Sequence, residues 1–256
     1  MQKEEIKFKD SCIFEGMTSI RAIIRGIDDK RNSRRIIKIL YDEARIQKIG
    51  KEIGYLRAVS QKYDYEVISS NEVELSELTL GNSHGGIIAL CADRSLPYLD
   101  DSANIAKDGF YAIIEGIEDP YNFGYSLRSL YAMGCDGIIL SERNWMSAAG
   151  VVARSSAGAS ELFSVYKSEP LDAVEFFKKR GYRVVCADER TDNVLGKCEL
   201  KKPLLLIVGG EKRGISRKII ESADILVKIN YGREFKASLS AASAATMFAY
   251  EIARQN

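Results

Sequence analysis

Short, unbroken apolar runs alternate with helix-length amphipathic segments along this chain, and residues 111–140 show the pattern most clearly. The apolar runs 111–114 and Gly137–Leu140 flank a segment whose apolar residues fall on one helical face. Unbroken runs of this length are typical of strands that are buried in a parallel sheet. Cap and turn residues at 119–122 precede the predicted helix, and Gly134 ends it. The pattern predicts a strand–helix–strand unit.

The same alternation continues through the rest of the chain. In the second half it predicts helices at 171–180 and 241–254, and strands at 182–187 and 204–208. In the first half it predicts a strand or helix start at 20–27, a basic helix at 30–39, a short strand near Leu40, a helix at 47–63, a strand at 66–68, an acidic helix after Asn71 and a strand at 87–90. The first sixteen residues are interpreted as an irregular or flexible arm. Strands that alternate with helices indicate an α/β fold with a mostly parallel sheet.

Residues 95–107 interrupt this alternation with a proline and an acidic pair. Such a break is typical of a domain boundary. We therefore predict a small αβ domain at 1–95, a linker at 96–107 and a larger α/β domain at 108–256. The first domain is long enough to have a small core of its own.

The composition of the 256-residue chain is that of an ordinary globular protein, with 46% hydrophobic and 29% charged residues. Its five cysteines are scattered and form no CxxC pair, which argues against a disulfide framework or a zinc site. The first residues do not have the pattern of a secretory signal, and no apolar run approaches the length of a membrane span. We therefore expect a cytoplasmic protein with no metal site and no membrane contact.

The net charge of +1 hides a local excess of positive charge. Residues 30–62 contain ten Lys or Arg residues and three acidic ones. Such a surface can bind a polyanion, because each phosphate that it neutralises releases counterions. A solvated helix face is the alternative interpretation. A second basic cluster, within residues 201–218, favours nucleic acid as the partner.

Two stretches have candidate ligand-binding chemistry. Arg128 follows Gly124 by one helical turn, so its guanidinium would project over a position without a side chain. This places a cation at the carboxyl end of a strand, where open α/β sheets bind ligands. The strand 204–208 runs into a glycine pair, residues 209–210, where a ligand can approach the backbone closely. Neither the P-loop nor the dinucleotide-binding glycine pattern is present. The adjacent Glu211 would repel phosphate, and it suits a ligand with hydroxyl or amino groups instead.

A third stretch combines residues 227–232 and 238–240 with an alanine-rich helix that begins at Ala241. Its small side chains permit close backbone approach, either to a ligand or to a packed neighbour. Alanine-rich helices are common in protein cores, so the sequence alone leaves both interpretations open.

Together the three stretches resemble the motifs of the SpoU/TrmH family of RNA 2′-O-ribose methyltransferases, within the knotted SPOUT class. The first motif, N-x-G-x-x-x-R, is matched by Asn122, Gly124 and Arg128. The second, G-x-E-x-x-G-[LI]-S, is matched by Gly209, Glu211, Gly214, Ile215 and Ser216. The third, S-L-N-V-S before a small-residue helix, is matched in part by Ser238 and Leu239. The first half of the chain is similar to the ribosomal-protein-like, RNA-binding domain that is often fused ahead of this methylase domain.

The resemblance implies methyl transfer from S-adenosylmethionine to a ribose 2′-hydroxyl of RNA, with rRNA favoured over tRNA. It also implies a carboxyl-terminal trefoil knot and a homodimer in which the site is completed across the interface. The predicted catalytic residues are Asn122, Arg128, Glu211 and Ser240. The predicted cofactor-binding residues are Gly209, Gly210, Gly214, Ile229, Ser238 and Leu239. The predicted RNA-binding residues are Arg31, Arg34, Arg35 and Arg154.

Arg128 is predicted to orient the ribose or phosphate and to stabilise developing alkoxide charge. A free guanidinium, with a pKa above about 12, is a poor proton acceptor. Action as a base stays open if a neighbouring group or the cofactor alters the guanidinium.

One position departs from the family pattern. Ser240 stands where the third motif usually has asparagine, and the loop before it has an insert, residues 233–236. Serine is shorter than asparagine and reaches less far. The alternative hypothesis is therefore an RNA-binding paralogue of the family with lost or altered methyl transfer. A nucleotide-binding oxidoreductase is disfavoured, because both glycine fingerprints are missing.

Overall fold

The structure, a computed structural model, describes residues 13–79, 84–141, 148–210 and 213–256. They form two compact units. The first unit contains the described residues of 13–95 together with 148–162, and the second contains those of 96–141 and 163–256. In this described part of the chain, no helix is both long and apolar enough to cross a membrane.

Strands and helices alternate along both units. The strands are β1 (Ile13–Glu15), β2 (Ile36–Asp42), β3 (Glu66–Ser70), β4 (Ile87–Cys91), β5 (Phe110–Glu115), β6 (Gly137–Leu140), β7 (Ser164–Lys167), β8 (Arg183–Ala187), β9 (Leu204–Gly209) and β10 (Ile225–Val227). The helices are α1 (Gly16–Asp28), α2 (Ile46–Tyr63), α3 (Glu72–Leu78), α4 (Pro120–Ala132), α5 (Ala149–Ser155), α6 (Ala159–Leu162), α7 (Pro170–Lys179), α8 (Arg217–Ser222) and α9 (Ala241–Gln255).

The first unit is built on a four-stranded mixed sheet in the order β1-β4-β2-β3. Strand β2 pairs in parallel with β3, whereas β4 runs antiparallel to β1 and β2. The central strands are apolar because both of their faces are covered. Ile39 and Ala89 belong to the larger core, whereas Leu40 and Ile88 belong to a smaller cluster with Leu75 of α3.

The structure corrects or refines three sequence predictions in the first unit. The prediction of a basic helix at 30–39 is wrong, because Ile36–Asp42 forms β2. This segment pairs its backbone with strands on both sides, and that non-local pairing outweighs the helical spacing of its basic residues. The segment 20–27 lies within helix α1. Residues 13–15 of the predicted arm form β1, and residues 1–12 lie outside the described residues.

Helices α5 and α6 pack in the first unit, although they lie between β6 and β7 in the chain. Ala153 joins the same core as Phe14. Gly158 has a φ of +86°, and a Cβ at this position would lie 2.5 Å from the Cβ of Ala22 on α1. The small residues of this segment are therefore explained by close helix packing. Residues 148–162 therefore belong to the first unit, whereas the predicted boundary assigns them to the second domain.

The second unit contains a six-stranded, fully parallel sheet in the order β10-β8-β9-β5-β6-β7. This confirms the predicted parallel sheet. From β5 the chain builds β6 and β7 on one side, and then builds β8, β9 and β10 on the other. The strand order therefore reverses between β5 and β9. Ligands of open α/β sheets bind at such a point, beside the carboxyl ends of the strands.

Side chains alternate between the two faces of this sheet. On one face, the ring of Phe177 from α7 packs against Tyr111 and Tyr182, with ring centroids 5.1 and 4.9 Å apart. Beyond the opposite face, α4 packs against α9. Part of the predicted linker 96–107 packs against the apolar cluster around Phe177, through Leu99, Ala103 and Ile105. The segment 96–107 therefore belongs to the second unit.

Candidate active site

The loop after β9 folds back on the end of β5. The N–H of Gly210 donates to the carbonyl of Glu115 at 2.5 Å, and Gly210 also pairs with Gly214. A Cβ on Gly209 would lie 2.6 Å from the carbonyl carbon of Gly214, and one on Gly210 would overlap the carbonyl of Gly116. Only glycine fits these two positions, so backbone atoms form the surface of the loop here.

The carboxylate of Glu115 holds the far end of this loop. Its Oε2 accepts a hydrogen bond from the N–H of Ser216 at 3.0 Å. Ser216 is the N-cap residue of α8, so the bond joins the start of that helix to the carboxyl end of β5. Hydrogen bonds to an ionised acceptor are among the stronger ones. The role of Glu115 could not be predicted from the sequence, because its partner is distant in the chain. The available signal was one acidic residue at the end of an apolar strand.

Next to the loop, the second unit contains a cavity of about 760 Å³. Its wall includes all six predicted cofactor-binding residues: Gly209, Gly210, Gly214, Ile229, Ser238 and Leu239. Apolar side chains complete much of the wall, namely Ala187, Val208, Ile215, Val227, Ala241, Ala244 and Phe248. The fold thus brings the glycine loop, the segment after β10 and the start of α9 around one space. Its volume is in the range of small-molecule sites, about 300–1,000 Å³.

The cavity wall also has charged side chains that were not predicted. Asp188 follows β8 and accepts two hydrogen bonds from the guanidinium of Arg190, at 2.9 Å from Nε and 2.8 Å from Nη2, and a third from its backbone N–H at 2.9 Å. These hydrogen bonds from Arg190 lower the pKa of Asp188. Glu189 and Arg213 add one charge of each sign to the wall. A wall of mixed charge suits a small ligand that has both positive and negative groups better than it suits a polyanion.

Ser240, a predicted catalytic residue, is the N-cap of α9. Its Oγ accepts a hydrogen bond from the N–H of Ser243 at 3.2 Å and lies 3.0 Å from the Ser243 hydroxyl. This contact satisfies one of the backbone donors at the start of the helix. Its neighbours Leu239 and Ala241 line the cavity. Ser240 therefore stabilises the helix start that shapes the cavity.

Two other predicted catalytic residues, Asn122 and Arg128, lie on α4. Helix α4 begins at Pro120 behind the N-cap Asp119, whose carboxylate accepts from the N–H of Tyr121 at 2.9 Å. Asn122 is half-buried in its first turn, and Arg128 is exposed. Among the described residues, the Arg128 guanidinium has no hydrogen bond or ion pair, and neither Asn122 nor Arg128 lines the cavity. Glu211, the fourth predicted catalytic residue, lies outside the described residues.

The prediction that Arg34 binds RNA is wrong, because this side chain is only 2% exposed. Its guanidinium donates to the Glu161 carboxylate on α6, with an Nε–Oε2 distance of 2.9 Å, and to the carbonyl of Ala92 at 3.2 Å. Burial acts against the charged form of Arg34, but Glu161 outweighs it and raises the pKa of Arg34. Burial likewise opposes ionisation of Glu161, but Arg34 and Arg94 outweigh it and lower the pKa of Glu161. Arg34 therefore stabilises the first unit.

The remaining predicted RNA-binding residues lie at the surface of the first unit. Arg31 and Arg35 are exposed. Arg154 is partly exposed, and its Nη1 lies 3.0 Å from Oε2 of Glu15. The Arg154 side chain is 44% exposed, so its guanidinium can contact a phosphate while it pairs with Glu15. These three cations remain predicted RNA contacts.

Among the described residues, no group of three His, Cys, Asp or Glu side chains is placed to hold a metal ion. The candidate site therefore consists of the cavity, the glycine loop and the arginine on α4. Residues 109–250, which include all of them, match the sequence profile of the SpoU rRNA Methylase family. The chain belongs to this family. The match confirms the predicted resemblance and assigns the chain to the RNA methyltransferases.

Relatives that are named as tRNA/rRNA methyltransferases align with most of this chain. YacO of Bacillus subtilis, named as a TrmH family tRNA/rRNA methyltransferase, is 30% identical over 187 residues, which are 71% of this chain and 74% of YacO. A protein of Mycobacterium ulcerans that is named as an uncharacterized tRNA/rRNA methyltransferase is 29% identical over 193 residues, which are 74% of this chain and 62% of that protein.

Solved SpoU structures share the fold over nearly the whole chain. AviRb from Streptomyces viridochromogenes, in complex with AdoMet, has a TM-score of 0.75 at 24% identity, covering 95% of this chain and 89% of AviRb. An AdoMet-bound rRNA methyltransferase from Sinorhizobium meliloti has a TM-score of 0.75 at 20% identity, and the match covers 94% of this chain and 86% of that protein. An RNA 2′-O ribose methyltransferase has a TM-score of 0.73 at 20% identity, covering 98% and 92%. These likenesses confirm the predicted α/β methyltransferase fold; the trefoil knot stays a prediction.

Proposed function

We propose that this chain is an S-adenosylmethionine-dependent methyltransferase that acts on a ribose 2′-hydroxyl of RNA, with rRNA favoured over tRNA. The observation that carries the proposal is the cavity, whose wall includes all six residues predicted to bind the cofactor. It lies at the carboxyl ends of β8, β9 and β10, the edge of a parallel sheet where ligands bind. A cytoplasmic location belongs to the same proposal.

The residues of the cavity fit this cofactor. S-adenosylmethionine has a flat adenine, ribose hydroxyls and a methionine part with both charges. Gly209 and Gly210 present backbone at close range, Ile229 and Leu239 present apolar surface, and Ser238 presents a hydroxyl. The mixed charges of the wall complement the methionine part. When bound, the cofactor supplies an electrophilic methyl group on a sulfonium.

Arg128 is the residue that we assign to the RNA acceptor. Its guanidinium is exposed on α4, so it is available to a phosphate or ribose. When the 2′-oxygen bonds to the methyl group and its proton passes to solvent water, a fixed cation beside the oxygen would stabilise the developing alkoxide charge. We assign Asn122 and Glu211 to hold Arg128 and the acceptor in line with the methyl group, because displacement needs that alignment. Ser240 is assigned to keep the start of α9 in place.

We also propose a homodimer in which a second copy completes the site. Neither Asn122 nor Arg128 lines the cavity of its own chain, among the residues described. Helices α4 and α9 pack together, and both expose large apolar side chains: Tyr121, Tyr125, Met247 and Tyr250. Exposed apolar groups of this size mark interaction surfaces. Sedimentation of the parent protein and of Tyr250→Arg tests this, with a dimer expected for the parent and a monomer for the variant.

The first unit is the proposed RNA-binding part, acting through Arg31, Arg35 and Arg154. Each neutralised phosphate adds affinity that depends on salt but does not distinguish sequences. The unit therefore supports binding, whereas the choice of nucleotide depends on other contacts.

The alternative is an RNA-binding paralogue without turnover. The observation that favours it is Ser240, whose hydroxyl is engaged in capping α9 at the position where the family motif has asparagine. The two functions differ in a measurable way, because a paralogue without turnover binds RNA and transfers no methyl group.

The experiment is transfer of labelled methyl groups from S-adenosylmethionine to unmodified rRNA and tRNA. The proposed enzyme labels one nucleotide, and the modified linkage resists alkaline cleavage because its 2′-oxygen is blocked. RNA binding without any labelling would instead support the paralogue.

A further inference from the structure

The loop between β10 and α9 presents two aromatic rings on the cavity wall. Tyr231 and Phe235 both line the cavity, yet they remain 37% and 57% exposed. Their ring centroids are 6.1 Å apart and their planes are inclined by 60°. Phe235 lies in the insert that distinguishes this chain from the family pattern, so the pair is a feature of this chain's own sequence.

Tyr231 is fixed by a backbone contact. Its hydroxyl oxygen accepts a hydrogen bond from the N–H of Leu239 at 3.1 Å. Leu239 directly precedes the Ser240 cap of α9, so the ring is tied to the end of a regular helix. Phe235 then packs against a ring that is already held. Pre-organisation of this kind lowers the ordering cost of ligand binding.

The exposed face of Phe235 fits a flat aromatic ligand. A phenyl ring that is more than half exposed at the wall of a cavity gains little from its own protein and can gain contact from a ligand. Nucleobases stack on such rings, and they do so with little dependence on base identity. The two planes are inclined by 60° rather than stacked face to face, and Phe235 is more than half exposed, so part of the phenyl ring is available to a ligand.

We infer that Phe235, supported by Tyr231, is a stacking platform for a nucleobase at the cavity. The inference rests on the proposed function, which supplies two sources of a nucleobase: the adenine of the cofactor and the base of the RNA acceptor. Both have the same flat, polarisable ring, and the binding measurements below distinguish them.

The test compares Phe235→Leu with the parent. Leucine keeps an apolar side chain of similar size but offers no ring, so loss of stacking is separated from loss of apolar contact. Tyr98→Leu is the matched control, because Tyr98 is another exposed aromatic, beside β7 at the opposite edge of the same sheet from β10. The readouts are the Kd for S-adenosylhomocysteine by calorimetry and the Kd for RNA by fluorescence anisotropy.

We expect Phe235→Leu to weaken one of the two affinities by about fivefold or more, as loss of base stacking does. Tyr98→Leu should leave both unchanged. Weaker binding of S-adenosylhomocysteine alone identifies the cofactor adenine as the stacked base, whereas weaker binding of RNA alone identifies the acceptor base.

The platform is overturned if Phe235→Leu matches the parent in both affinities while the parent binds S-adenosylhomocysteine and methylates RNA. That result leaves the proposed function intact. A parent that binds no S-adenosylhomocysteine contradicts the proposed function instead, and the RNA affinity of Phe235→Leu then decides the platform alone.

Discussion

Arg34 and Arg128 look alike in the sequence, because each lies in a segment that predicts contact with RNA, but their surroundings in the structure are opposite. Arg34 is buried in the first unit, and its guanidinium is bonded to Glu161. Arg128 is exposed on α4 of the second unit, with no hydrogen bond or ion pair to the described residues. Burial and partners, rather than residue type, decide which guanidinium stabilises the fold and which is available to a ligand.

The largest expected effect on stability is at Arg34. Arg34→Ala leaves the Glu161 carboxylate buried without its main partner, and breaking a buried pair in this way costs about 3–5 kcal/mol. Urea denaturation of Arg34→Ala and of its exposed neighbour Arg35→Ala measures the contrast. The neighbour should stay within about 0.5 kcal/mol of the parent. Equal losses in the two variants would contradict the structural role of Arg34.

The same pair predicts a dependence on pH. Since the pKa of Glu161 is lowered on folding, its contribution is complete above its ordinary value of about 4.3 and is lost as the pH falls through the lower folded value. The free energy of unfolding should therefore differ most between the parent and Glu161→Gln at neutral pH, and the difference should shrink in acid. A difference that stays constant between pH 7 and the acid limit would contradict this sign.

Arg128 should show the opposite behaviour, with a large effect on activity and little on stability. Arg128→Ala is expected to lower kcat by about 10²–10³-fold, as removal of one group that stabilises an oxyanion does. Its melting temperature and its Kd for S-adenosylhomocysteine should match the parent. Arg180→Ala, at the carboxyl-terminal cap of α7, is an arginine control that removes an ion pair with Asp101 and should leave kcat unchanged. Full activity of Arg128→Ala would remove the guanidinium from the mechanism.

Glu115 tests whether a side chain that does not line the cavity positions the loop beside it. Glu115→Gln keeps an acceptor for the Ser216 N–H but removes the charge, and a charge-assisted bond is about twice as strong as a neutral one. We expect about tenfold weaker binding of S-adenosylhomocysteine, with the free energy of unfolding changed by about 1 kcal/mol or less. Glu175→Gln, on the exposed surface of α7, should change neither. An unchanged Kd in Glu115→Gln would assign the bond to stability alone.

The smallest expected effect concerns the exposed arginines of the first unit. Replacing Arg31 and Arg35 together by glutamine should weaken RNA binding and reduce the slope of log K against log salt by about 2, one for each lost phosphate contact. Binding of S-adenosylhomocysteine should not change. Anisotropy titrations at several salt concentrations measure the slope, and an unchanged slope would remove these two cations from the RNA surface.

Strands β5, β6, β8 and β9 of the second unit could be predicted, because both of their faces are covered and their sequences are therefore unbroken apolar runs. The two edge strands could not, because β10 has only three residues and β7 combines apolar with polar residues. Strand β2 could not, since its identity depends on pairing with β3 and β4, which are distant in the chain. The placement of α5 and α6 in the first unit depends on packing of Ala153 and Gly158, which no local pattern indicates.

The candidate site divides in the same way. The glycine loop and the segment around Leu239 could be predicted, because the resemblance rests on contiguous motifs. Glu115 and the Asp188–Arg190 pair could not, since they acquire a role only when separate loops meet at the cavity. The prediction for Arg34 is wrong because a cluster of basic residues in the sequence indicates local charge but does not indicate which side chains are buried.

The most direct test of the central claim is a crystal structure of the protein with S-adenosylhomocysteine. The account predicts density for the ligand in the cavity of the second unit, in contact with the backbone of Gly209 and Leu239. Density at another place, or no binding at millimolar ligand, would contradict the assignment of this cavity to the methyl donor.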